Sequence, residues 1–167
     1  MLTAATKRIE LERKTNSNQL KLIMTPSEIT PIALRLHPGQ DILIELEQVA
    51  QTHSIEAACV LTCVGSLTTA KLRFANQNQA VELNGHFEIV SLTGVLSRHG
   101  SHFHISISDK HGKTTGAHLL EGNKVYTTAE IVLGVFPQYS FLRTLDPQTG
   151  YPELKIQPIT HDKECIE

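Results

Sequence analysis

The sequence has no excess of positive charge, and this absence weighs against binding to nucleic acid. Its 15 lysines and arginines are outnumbered by 17 acidic residues, so the formal net charge at pH 7 is −2. Proteins that bind DNA gain much of their affinity by neutralising phosphates with clustered Lys and Arg side chains. The chain has no basic stripe and no Arg-Gly-Arg-Pro segment of the kind that enters the minor groove. We therefore expect no specific DNA binding and rank a DNA-binding regulator last among the candidate functions.

Long apolar segments are also missing. A helix that crosses a bilayer needs about 20 consecutive apolar residues, and no stretch of this chain approaches that length. The first residues lack the apolar core of a secretory signal peptide. We expect a cytoplasmic protein with no membrane partner.

Cysteine is scarce, with only Cys59, Cys63 and Cys165 in the chain. The first two lie in an apolar segment whose composition is typical of a β-strand. Their separation along a strand is roughly 13 Å, which is too far for a disulfide bond or for a shared metal ion. We therefore interpret both as buried free thiols.

The chain length of 167 residues and the hydrophobic content of 40% suit one domain with a substantial core. Both ends of the chain are polar and charged, which is typical of loosely held termini. We predict a flexible N-terminal segment over residues 1–18, a single domain over residues 19–159 and a polar tail over residues 160–167.

Hydrophobic periodicity predicts one principal helix, which begins at Asp41 and runs to about His53 with an apolar stripe towards the core. An almost fully apolar strand over residues 55–64 is expected in the centre of its sheet. Gly65 and Ser66 are predicted to turn the chain into the next strand. Further strands are predicted over residues 31–36, 67–75, 124–136 and 139–145, with a last extended piece over residues 151–156.

Asn84 and Gly85 predict another turn, between a short strand over residues 81–83 and a longer one over residues 86–97. The longer strand is apolar on both faces, so both faces should be covered. Gly94 lies inside it and indicates a bulge or a close approach of two backbones.

The most informative stretch is residues 101–108 (SHFHISIS), in which polar and apolar side chains alternate strictly. Such alternation predicts a half-buried strand, and residues 109–112 (DKHG) predict a turn into a returning strand. Only one register keeps the apolar side chains of both strands on the same face. In that register His104 lies opposite His118, with Cβ atoms roughly 5 Å apart, and His102 lies on the same face.

Three neutral imidazoles that meet in this way form a ligand set for zinc or a similar divalent ion. They leave a fourth position for water, substrate or a further ligand. A His-x-His pair on one strand also fits a polar face with solvated histidines. The third histidine at the cross-strand position favours the metal interpretation, so we predict a zinc-like ion at His102, His104 and His118.

Several segments resemble the plants and prokaryotes conserved (PPC) domain. The resemblance spans about residues 31–143 and is most specific over residues 85–94 (GHFEIVSLTG). Plant members read Gly-Arg-Phe-Glu-Ile-Leu at the start of that stretch, whereas this chain has His86 and Val90 at the second and sixth positions. The other matching segments are residues 65–67 (GSL), 72–73 (LR) and 116–119 (GAHL).

The resemblance implies an α/β (α+β) fold in which a mostly antiparallel β-sheet is combined with one principal helix. It also implies a homotrimer. Prokaryotic members carry a His-x-His pair and a later histidine, which correspond here to His102, His104 and His118. In plants the domain accompanies AT-hook motifs, and the six-residue stretch carries partner binding. The change at His86 argues against transferring that plant role to this chain.

Two functions compete on this basis. The first is a metal-binding homotrimer that acts as an interaction module or senses a small-molecule ligand. The second is a zinc-dependent hydrolase, because three histidine ligands can lower the pKa of zinc-bound water to about 7. An enzyme also needs a general base or further supporting groups near the metal. The candidates are Glu88, His99 and Glu121.

Overall fold

The structure is a computed structural model, and it describes residues 28–159. The N-terminal segment predicted over residues 1–18 and the tail predicted over residues 160–167 lie outside the described residues. Within residues 28–159, the one helix is too short to cross a bilayer.

The described part of the chain contains one helix, and the remaining elements are strands that pair antiparallel. This architecture confirms the predicted α+β fold with a mostly antiparallel sheet. In chain order the elements are β1 (Thr30–Leu36), α1 (Ile42–Thr52), β2 (Ala58–Arg73), β3 (Val81–Ser97), β4 (Gly100–Ser108), β5 (Thr114–Leu119), β6 (Lys124–Val135), β7 (Tyr139–Leu145) and β8 (Pro152–Pro158).

Six strands form the main sheet in the order β1-β6-β2-β3-β4-β5, while β7 and β8 pair separately. The apolar strand β2 lies inside the sheet, as predicted. The far end of β2 also pairs with β5, so that β2, β3, β4 and β5 form a closed ring of strands. Register shifts along β2 accompany this closure, and such bulges bend and twist a strand.

The side chain of Asp41 caps helix α1. Its carboxylate accepts hydrogen bonds from the backbone N–H groups of Leu43 and Ile44 at 3.0 and 3.3 Å, which satisfies two of the free donors at the helix start. The apolar stripe of the helix packs into the core that lies on one face of the sheet. The fully buried members of the stripe are Ile42, Leu46 and Ala50.

The predicted turn at Gly65 and Ser66 is wrong, because β2 runs through both residues. Gly65 has φ +153° and pairs with Ala129 of β6. A Cβ atom at this position would collide with the carbonyl oxygen of Thr128. The glycine therefore lets two strands approach closely instead of turning the chain.

The predicted turn at Asn84 and Gly85 is also wrong, because β3 continues through them and Asn84 pairs with Thr69 of β2. The long ladder between β2 and β3 overrides the local turn preference of Asn-Gly. The close backbone approach predicted at Gly94 is confirmed. A Cβ atom there would collide with the carbonyl oxygen of His102.

Cys59 and Cys63 are both free thiols, as predicted. Cys63 is buried and Cys59 is partly buried. Burial raises the pKa of the Cys63 thiol to about 12. A thiol of this kind stays protonated at neutral pH, so Cys63 packs in the hydrophobic core and is not a reactive group.

Candidate metal centre

The β4–β5 hairpin has the predicted register, with His104 directly opposite His118. The inward side chains Phe103, Ile105 and Ile107 are each at most 2% exposed. Because successive side chains of a strand point to opposite faces, the histidines of β4 lie on the outer face.

The three imidazoles converge on one point of that face. The Nε2 atoms of His102 and His104 are 3.3 Å apart. One ring nitrogen from each of these residues and from His118 lies within 4.8 Å of the other two. Two nitrogens bound to the same tetrahedral zinc ion at 2.0–2.1 Å are about 3.3 Å from each other. The first two rings already have chelating spacing, and the third needs to move by about 1.5 Å at most.

The surroundings of His102 and His118 lower the pKa of both rings. Burial, followed by the positive charge of Arg73 and the other two histidines, lowers the pKa of His118 to about 4. Burial also lowers the pKa of His102, and the charges of His104 and Arg143 act in the same direction. A neutral imidazole is the form that binds a metal ion, so the cluster suits metal binding at neutral pH.

One ring nitrogen has no partner. The Nδ1 atom of His118 is buried and makes no hydrogen bond within the described part of the chain. A buried polar atom without a partner costs free energy. A metal ion held at this nitrogen would satisfy it, so the donor set fits a zinc-like ion.

Two of the three candidate supporting residues lie away from the cluster. Glu88 pairs with Ser108 at the other end of β4. Ser108 is four residues along the strand from His104, a distance of about 13 Å. Glu121 is exposed beyond the end of β5. Neither residue belongs to the metal-ligating group found among the described residues.

His99 has a structural partner instead. Its Nε2 atom lies 3.1 Å from the carboxylate of Glu56. The same carboxylate accepts a hydrogen bond of 2.8 Å from Ser140 and pairs with Arg98 at 2.6 Å. These contacts tie the turn before β4 to β7, and His99 does not belong to the metal-ligating group found among the described residues.

Arg73 was not among the predicted site residues, yet it lies beside the cluster. It pairs with His118 across β2 and β5. Strand alternation alone could have placed it on the outer face, because its neighbour Leu72 is fully buried. Its proximity to His118 could not have been found in this way, since no local signal indicates that β2 and β5 pair.

Two grooves flank the histidines. One has a volume of about 420 Å³ and is lined by His104 and His118 together with Arg73. The other has a volume of about 280 Å³ and is lined by His102 and His104 together with Arg143 and Glu153. The cluster is therefore open to small molecules from two sides.

The sequence matches the Plants and Prokaryotes Conserved (PCC) domain over residues 24–137. The chain belongs to this family. The predicted PPC resemblance, which refers to the same family, is thereby confirmed.

Curated relatives carry the PCC domain inside longer proteins. Over 139 residues the chain is 46% identical to a protein from a Synechococcus strain named Bifunctional protein GlmU, and the match covers 83% of this chain but 22% of that protein. The chain thus spans about a fifth of the length of the curated relatives it matches.

Solved structures share the fold over most of the chain. A hypothetical protein from Salmonella cholerae-suis has 39% identity and a TM-score of 0.78, with coverage of 80% of this chain and 97% of that one. A protein from Archaeoglobus fulgidus, described as metal-containing, has 25% identity and a TM-score of 0.67, with coverage of 79% and 99%.

Proposed function

We propose that this PCC-domain protein binds a zinc-like ion, assembles as a homotrimer and acts as an interaction or small-ligand-sensing module. The convergence of three imidazoles, two of them at chelating spacing, carries the proposal. The ion would be held by His102, His104 and His118, with the fourth position open to a ligand. The metal-containing relative from Archaeoglobus fulgidus supports this assignment.

A role as a module is supported by where the domain occurs. It makes up nearly all of the Salmonella chain, but only about a fifth of the Synechococcus protein. A unit that occurs both nearly by itself and attached to a larger protein suits a sensing or docking role.

Trimer formation is supported by apolar side chains that the single chain leaves partly exposed. Val64 and Tyr126 are 56% and 43% exposed. Their neighbours Cys63 and Val125 are buried, so these two side chains point away from the core on the outer face of β2 and β6. Exposed apolar side chains on adjacent strands are typical of an interface. A second copy of the chain would cover them.

Elemental analysis tests the metal proposal directly. Protein purified without chelator should contain about one zinc-like ion per chain, as expected for a three-histidine ligand set. Dialysis against a chelator should remove the ion, and added zinc should restore it. Protein that never contains metal and takes up none would overturn the proposal.

A zinc-dependent hydrolase is the second candidate, and the grooves beside an open metal position favour it. The larger groove has no Asp or Glu among its lining residues, so it offers no carboxylate as a general base. The other groove contains Glu153, but that carboxylate lies beside the positive charge of Arg143. Zinc-loaded protein should therefore show no turnover on panels of esters, amides, phosphates and lactones. Turnover that disappears with the metal would favour the enzyme.

A further inference from the structure

A row of four polar side chains crosses the closed ring of strands. Thr93 of β3 pairs with His104 of β4, His104 pairs with His118 of β5, and His118 pairs with Arg73 of β2. Paired residues on one face have Cβ atoms roughly 5 Å apart. The positive charge of Arg73 is close enough to His118 and His102 to act on both rings.

The groove of about 420 Å³ runs along this row. Hydroxyl groups supply much of its polar lining, namely those of Ser91, Thr93 and Ser106. Gly116 lies opposite Ser106, and a Cβ atom on it would be 3.2 Å from the Ser106 Oγ atom. The missing side chain at this position keeps the groove open next to His118.

The charges in this groove are of one sign. No acidic residue lines it, and within residues 28–159 no carboxylate forms an ion pair with Arg73. Arg143 in the other groove differs, because Glu153 lies near enough to raise the pKa of its guanidinium against the effect of burial. A divalent ion beside Arg73 would thus make this groove strongly positive, because the carboxylate that acts on the cluster, Glu153, lines the other groove.

We propose that this groove binds a small molecule through an oxyanion, a carboxylate or phosphate group. One oxygen would bind a metal ion held by the histidines, and another would accept hydrogen bonds from Arg73. The guanidinium fork matches both oxyanions, and the serine and threonine hydroxyls can donate further hydrogen bonds. This inference rests on the proposed function, because the metal ion supplies the first contact.

The volume of the groove indicates the size of ligand that it can hold. Its volume of about 420 Å³ falls within the range of small-molecule sites. It exceeds what a bare phosphate or acetate fills, so the oxyanion is one end of a larger molecule. The apolar lining from Phe74, Ala75 and Ala117 provides contacts for the remainder.

Cobalt-substituted protein provides the test, because the visible absorption of Co²⁺ reports a change in its ligands. The probes are inorganic phosphate and acetate, titrated at constant ionic strength, with chloride as the control. Metal content and circular dichroism are measured on every sample. We expect a saturable spectral change with at least one of the two oxyanions and a much smaller one with chloride.

Arg73→Gln should weaken oxyanion binding about tenfold or more while metal content stays unchanged, since it removes both the charge and the paired N–H donors of the guanidinium. Arg143→Gln is the matched control and should change the affinity by less than about threefold, because Arg143 lines the other groove and the nearby Glu153 offsets its charge. Arg73→Lys should give an intermediate affinity, because it keeps the charge and loses the fork.

The outcomes separate the two proposals. Wild-type protein that takes up no metal overturns the proposed function. Metal-loaded protein that responds to neither oxyanion, or equally to chloride, overturns the oxyanion site alone. Equal weakening by both arginine variants overturns the role of Arg73. A response to only one oxyanion supports the site and identifies that group as the ligand class.

Discussion

His104 and His118 face each other across the β4–β5 hairpin with ring centroids 5.7 Å apart. His102 completes the cluster, with its ring centroid 5.0 Å from that of His118 and 5.1 Å from that of His104. Each ring therefore neighbours the other two. An ion bound among them would contact all three rings, so the loss of any one ring would leave two ligands.

His104→Ala should lower metal content to a small fraction of the wild-type value, because a two-histidine site holds zinc far more weakly than a three-histidine site. Elemental analysis after dialysis into metal-free buffer measures this. His111→Ala is the matched control, since His111 is exposed in the hairpin turn, outside the cluster. Full metal occupancy in His104→Ala would contradict the ligand assignment.

Gly94→Ala should destabilise the fold by about 2 kcal/mol or more, because a backbone carbonyl occupies the space of the new Cβ. Gly94 has φ +150°, and Phe103 Cα would lie 2.8 Å from that Cβ. Urea unfolding gives the free energy. Gly112→Ala is the control. It also has a positive φ, of +78°, but its Cβ would meet nothing within 4 Å, so we expect a smaller loss, about 1 kcal/mol. Equal losses in the two variants would show that the β3–β4 contact is not tight.

Glu56→Gln should lower the free energy of unfolding at pH 7 by about 1 kcal/mol, because the carboxylate is partly solvated. Burial raises the pKa of Glu56, but Ser140, His99 and Arg98 outweigh it and hold the pKa below its ordinary 4.5. A lowered carboxyl pKa stabilises the fold above pH 4.5, and this stabilisation is lost as the pH falls through the folded-state pKa.

Urea unfolding of wild type and Glu56→Gln at pH 7 and below pH 4 measures this effect. The difference between the two proteins should be largest at pH 7 and should shrink in acid. A difference that grows in acid would have the wrong sign for this network.

Val64→Lys should reduce the mass in solution from a trimer towards a monomer, because a buried unpaired charge opposes association. Light scattering at micromolar concentration measures the mass. Leu145→Lys is the control on the two-stranded sheet, where Leu145 is 71% exposed. A monomeric wild type would contradict the homotrimer. A trimeric Val64→Lys would place the interface elsewhere.

Binding to DNA should be weak, sensitive to salt and independent of sequence. A chain with a net charge of −2 neutralises few phosphates. In the structure Arg73 lies beside the histidine cluster, where we propose that it binds the oxyanion group of a small molecule. A mobility-shift assay in physiological salt is the test. Tight, sequence-specific binding there would move the protein into the regulator class.

The local sequence pattern was sufficient to predict properties that depend on one strand or one hairpin. The alternation of Phe103 and Ile105 with His102 and His104 defines two faces, whichever strands pair on either side. The register that brings His118 opposite His104 follows from keeping apolar side chains together. Local pattern failed at Gly65 and at Asn84-Gly85, where a turn preference of a few residues was overridden by long ladders.

The sequence by itself therefore determined the face that carries the three histidines, because strand alternation and hairpin register are short-range properties. Only the tertiary structure decided what surrounds that face. Arg73 reaches His118 because β2 bends and pairs with β5, although two other strands lie between them in the sheet order. Such closure depends on the summed twist and bulges of several strands, and no short segment of sequence specifies it.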